Sequence, residues 1–113
     1  MKLLHLDDYR KTSTEGFTKR VLLRSPHALV FTLNFQAGQT LPPHTHADSE
    51  IVVQVLAGEG QATVDGRVEA LRVGAVMQCN GAESFSVQNT GSSVLSLLVC
   101  LCPANSRFAS DVR

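Results

Sequence analysis

Polar and apolar residues alternate with period two along most of the chain or gather in short β-branched runs. Turn residues break the pattern about every eight to twelve positions. That rhythm predicts strands at residues 18–24, 28–36, 51–57, 61–64, 67–71, 75–79, 84–88 and 94–102. No stretch repeats with helical spacing over several turns, and only residues 7–11 hint at a helical turn. Asp65-Gly66 lies between two strand patterns and supplies the positive backbone angles of a tight type I′ hairpin. Asn80-Gly81 offers the same chemistry between 75–79 and 84–88, and Gly58 and Gly60 bracket a third bend. Many short antiparallel strands must close or stack to hide their edges, which predicts a sandwich or barrel.

The segment VLSLLVCLC at 94–102 is apolar on both faces apart from Ser96. Leu95, Leu97, Val99 and Leu101 point one way, and Val94, Leu98, Cys100 and Cys102 point the other. One set fills an interior, so the other needs a cover. A second copy in a homodimer is the expected cover, and residues 2–6 of the same chain are the alternative.

Length and charge narrow the classes. A chain of 113 residues has room for one core, so a single domain is expected, with its barrel core at about 18–102 and peripheral segments at 1–17 and 103–113. Lys plus Arg equals Asp plus Glu at 10 each, which gives no global field for nucleic acid or an anionic membrane. The N-terminus lacks a signal-peptide h-region, and the longest apolar run is far shorter than a membrane span, so a soluble cytoplasmic protein is expected. Three cysteines, two of them on one short segment, argue against a disulfide framework and read as core residues in a reducing compartment.

The chemistry concentrates in GQTLPPHTHADSEIVVQVLAGEG, residues 38–60. His44 and His46 stand two apart and project to one side of an extended strand, so both imidazoles can grip one ion. With Glu50 they make a two-histidine, one-carboxylate set suited to iron(II), manganese, nickel or zinc. Without further context the same residues read as a polar loop beside two prolines.

Gly38, His44, His46 and Glu50, with the following LAGEG and TVDG, resemble the first motif of the cupin superfamily. The likeness runs over about residues 28–100 and implies an all-β double-stranded β-helix, or jelly-roll, barrel of two antiparallel sheets. One spacing departs from the family: seven residues separate Glu50 from Gly58 instead of six, and counting back from Gly58 puts the glutamate slot on Ile51. Glu50 reaches the pocket if a bulge or the 47–49 turn absorbs the extra residue, and otherwise stands on the outer face. The second motif maps at full spacing onto Gly74, Asn80, Ala82, Phe85 and Asn89, with Phe85 where the family has a metal-binding histidine.

The resemblance implies a pocket at the barrel mouth for a divalent metal (Fe, Mn, Ni or Zn) through His44, His46 and Glu50, weakened by the lost histidine, together with a small organic molecule. Phe85 is expected as a pocket wall, with Gln54 and Cys79 as further wall residues. A metal-dependent oxygenase or isomerase is one reading. The alternative is a non-catalytic small-molecule binding or sensor protein with a degenerate metal site. His5 and His27 have no spacing partner and read as surface histidines.

Overall fold

The computed structural model describes residues 1–103, and the remainder of the expected C-terminal peripheral segment, 104–113, lies outside the described residues. A 3-10 turn at Leu6–Tyr9 precedes nine strands: β1 (Thr18–Arg24), β2 (Leu29–Phe35), β3 (Thr40–His44), β4 (Glu50–Ala57), β5 (Glu59–Val64), β6 (Arg67–Arg72), β7 (Val76–Asn80), β8 (Phe85–Gln88) and β9 (Leu95–Cys102). They form two antiparallel sheets, ordered β1-β2-β9-β4-β7 and β3-β8-β5-β6. The fold is the antiparallel two-sheet arrangement that the period-two pattern predicts, and it is the jelly roll that the family resemblance implies. Among the described residues no helix is long and apolar enough to cross a membrane.

The core lies between the sheets, and the alternation of each strand decides which side chains enter it. On β9, Leu95, Leu97, Val99 and Leu101 are buried in the core cluster, against Phe31, Leu33 and Phe35 of β2 and Ile51, Val53 and Val55 of β4. The other face of β9 carries Ser96, Leu98, Cys100 and Cys102. Part of its cover comes from the same chain, through Tyr9 and Arg10 instead of residues 2–6. Thr32 Oγ1 and Asn34 Nδ2 both donate to the Tyr9 carbonyl, the latter at 3.0 Å, and Arg10 Nε donates to Ser96 Oγ at 3.4 Å. Ser96 Oγ donates in turn to Asn34 Oδ1 at 2.9 Å. Thr32, Asn34 and Ser96 are fully buried, and this network satisfies polar groups that would otherwise destabilise the sheet. Leu98 and Cys100 remain half-buried, and Val52 and Val76 on the neighbouring strands are exposed.

Two local expectations change. Asp65-Gly66 forms the expected tight hairpin, with φ of 48° and 83°. Asn80-Gly81 does not join a paired hairpin, because β7 and β8 belong to different sheets and the segment crosses between them. The prolines at 42 and 43 read as loop, yet they lie in β3. Proline is tolerated there because β3 is an edge strand, irregular between Leu41 and His44, so its missing N–H groups break no interior ladder.

Candidate functional site

Edge strand β3 places His44 directly opposite Phe85 of β8, so the family's histidine position and the first histidine face each other across one ladder rung. The ring centroids are 6.2 Å apart, edge to face. His44 Nδ1 lies 3.0 Å from the Pro42 carbonyl, and since a carbonyl only accepts, that nitrogen carries the proton. In that Nδ1–H tautomer His44 Nε2 is an acceptor, and it lies 2.7 Å from His46 Nε2, which then donates. The tautomers of both rings are set by one backbone carbonyl.

His46 is buried in the turn after β3, and the backbone around Gly81 holds it. His46 N–H donates to the Gly81 carbonyl at 2.8 Å, Gly81 N–H to the Ser49 carbonyl at 2.7 Å, and Ser49 N–H to the His46 carbonyl at 3.1 Å. A Cβ on Gly81 would fall 1.8 Å from His46 O and 2.2 Å from Ser49 O. Only glycine permits this approach, so Gly81 serves to seat His46.

Both histidines open into a cavity of about 500 Å³, a size that suits a small organic ligand. Its walls are mostly apolar: Phe17, Phe31, Leu33, Leu41, Ile51, Phe85 and Val99. Lys19 supplies the cation of the lining, with its Nζ 4.5 Å from the centroid of the Phe31 ring. Phe85 lines the cavity and belongs to the buried core as well.

Three of the expected site residues stand elsewhere. Glu50 is exposed on the outer face of β4, and Gln54, four residues on, shares that face. The cause is the phase of β4: Ile51, Val53 and Val55 face inward, and each apolar side chain buried there contributes about 1.5–3 kcal/mol. Turning Glu50 inward would expose all three and bury Gln54 as well. The turn at 47–49, with Asp48 at φ 70°, does not change that phase. Ile51 thus takes the carboxylate's place in the cavity wall, as the count from Gly58 indicates. Cys79 is buried in the core across from Ile51 and does not line the cavity. Burial, followed by the nearby carboxylates of Glu83 and Asp65, pushes its thiol up to about 11, so it stays protonated.

The residues present do not fit a resident divalent ion. His44 and His46 converge, but the two remaining family positions are Ile51 and Phe85, which have no donor atoms. Among the described residues no three His, Cys, Asp or Glu side chains group together. Two neutral imidazoles would leave the ion's charge uncompensated against apolar walls. The sequence reading did not single out Lys19, Phe31 or Leu41, because lone residues on alternating strands carry no signal until the barrel closes.

A family model described as "Cupin domain" matches residues 31–101. No curated protein matches the chain. Among solved structures, a Thermus thermophilus protein is 24% identical, with a TM-score of 0.86 over 91% of this chain and 98% of that one. A Klebsiella pneumoniae protein with a double-stranded β-helix domain is 20% identical, with a TM-score of 0.87 over 93% and 92%. A cupin protein described as RmlC-like, from Desulfovibrio desulfuricans, is 28% identical, with a TM-score of 0.82 over 91% and 97%.

Proposed function

The chain belongs to the cupin family, with the domain match covering residues 31–101, and from that premise we propose that its barrel mouth binds a small organic acid or phenol directly, without a resident metal. The observation that carries this reading is the pair Ile51 and Phe85, which line the cavity where a carboxylate and a third imidazole would complete a metal set. Their side chains favour the apolar body of a ligand. The polar end meets the His46–His44 pair, where displacing the 2.7 Å bond between the rings frees His46 Nε2–H to donate to it, and the Lys19 ammonium favours an anion. Held this way, the protein acts as a binding or sensing module in the cytoplasm.

The outer sheet face supports a second proposal, a homodimer packed on Leu98, Val52 and Val76. Tyr9 and Arg10 cover the polar part of that face, and these apolar side chains keep exposed surface.

The ligand reading is tested by melting the protein in excess chelator with a panel of aliphatic and aromatic carboxylates and phenols. Compounds that bind should raise Tm with no metal present, by mass action on the folded state. His44→Ala should abolish the shift. Ligands that stabilise only after a divalent ion is added would overturn the reading.

A further inference from the structure

Cys100 and Cys102 stand two apart on β9 and project to the outer face, where their Sγ atoms are 3.3 Å apart. The expectation that the cysteines are core residues holds for Cys79 alone. Cys100 is half-buried and Cys102 is exposed, so this pair contributes little to the interior. Among the described residues, Cys102 lies beyond the last β2–β9 pair, Leu29 with Leu101, and pairs with Glu50 of β4, while Ser49 Oγ donates to the carbonyl of the next residue, Pro103, at 2.8 Å. On the β2 side the strand end therefore has no ladder partner among the described residues.

We propose that Cys100 and Cys102 form a dithiol modification site that a small-molecule disulfide converts reversibly into an intrachain disulfide. The exposed Cys102, as thiolate, attacks one sulfur of the reagent disulfide. A mixed disulfide forms and one small thiol leaves. Cys100 then gives up its proton and attacks the Cys102 sulfur, and the second small thiol leaves with the electron pair of the broken bond. In sum two protein thiols are oxidised, one reagent disulfide is reduced to two thiols, and no other oxidant is needed.

Two features make the bond labile. Residues two apart on a strand have Cα atoms about 6.4–6.8 Å apart, at the upper end of what a disulfide spans without strain. Strained, exposed disulfides are the readily reduced ones. Burial, and after it the hydrogen bond with Cys102 and its charge, push the Cys100 thiol up to about 11, which suits Cys100 to the second, resolving step in place of the first attack.

The test treats the untagged full chain with excess oxidised glutathione in mildly alkaline buffer, followed by intact-mass measurement and peptide mapping. The native sequence should lose two hydrogens and retain no glutathione, with the 100–102 link restored to free thiols by dithiothreitol. Cys100→Ser should stop at a stable glutathione adduct on Cys102, and Cys102→Ser should form no adduct on the same timescale. A persistent adduct on the native sequence, a link between two chains, or three thiols still open to alkylation after unfolding would each overturn the proposal.

Discussion

An imidazole pair holds a divalent ion tightly only when further donors complete the coordination and offset the charge, and around His44 and His46 the neighbouring positions are Ile51 and Phe85. Restoring those donors should restore the ion. The double variant Ile51→Glu, Phe85→His is expected to bind Ni²⁺ or Zn²⁺ at least tenfold more tightly than the native sequence by titration calorimetry, a gain of about 1.4 kcal/mol or more. Adding His44→Ala should remove the gain. Equal affinity in the native and double-variant proteins would mean that these positions do not share a centre with the histidines. At this scale the placement of His44, His46 and Phe85 around one cavity was legible from motif spacing, although His46 lies in the turn after β3 and not on the strand. Glu50 entered the ligand set because a carboxylate four residues past His46 is a strong local cue. The alternation Ile51, Val53, Val55 carried the decisive information, since three buried apolar side chains outweigh one charged residue in setting strand phase.

The turn that seats His46 shows how an element can be read correctly in its chemistry and wrongly in its role. Asn80-Gly81 carries hairpin residues, and the segment does turn: Asn80 Oδ1 accepts from Ala82 N–H at 2.8 Å. Gly81 is nevertheless required for closeness to the 46–49 backbone and not for a hairpin, a fact that depends on two sheets meeting and leaves no local trace. Gly81→Ala should therefore push the 46–49 turn away, lower stability by about 1–3 kcal/mol as overpacking does, and weaken ligand binding. Gly16→Ala, with open space at its Cβ, should stay within about 0.5 kcal/mol. Denaturant midpoints of the two variants check this, and equal midpoints would contradict the seating role. Strand β3 was missed for a related reason. Pro42 and Pro43 are loop signals by local chemistry, and only the edge position of β3 makes them acceptable in a strand.

For the whole molecule, the pattern of nearly every strand was readable because each strand has one buried face, and the jelly roll follows from motif spacing that survives the altered residues. The cover of the outer sheet face was harder to read, since Tyr9 and Arg10 reach it through backbone and side-chain hydrogen bonds that no periodicity announces. The apolar remainder around Leu98 gives a direct test of assembly. Sedimentation at micromolar concentration should report a dimer, and Leu98→Glu should release folded monomers. A native species at the 12.2 kDa chain mass would rule the dimer out. The central claim, a cupin pocket that binds its ligand without a resident metal, is tested most directly by metal content coupled to stability. Protein carrying no histidine tag, purified from cells grown with iron, manganese, nickel and zinc, should contain far less than one metal per chain and keep its Tm when chelator is added. An ion held at a hundred times its Kd adds about 2.7 kcal/mol to stability. Stoichiometric metal together with a clear fall in Tm on chelation would contradict the account.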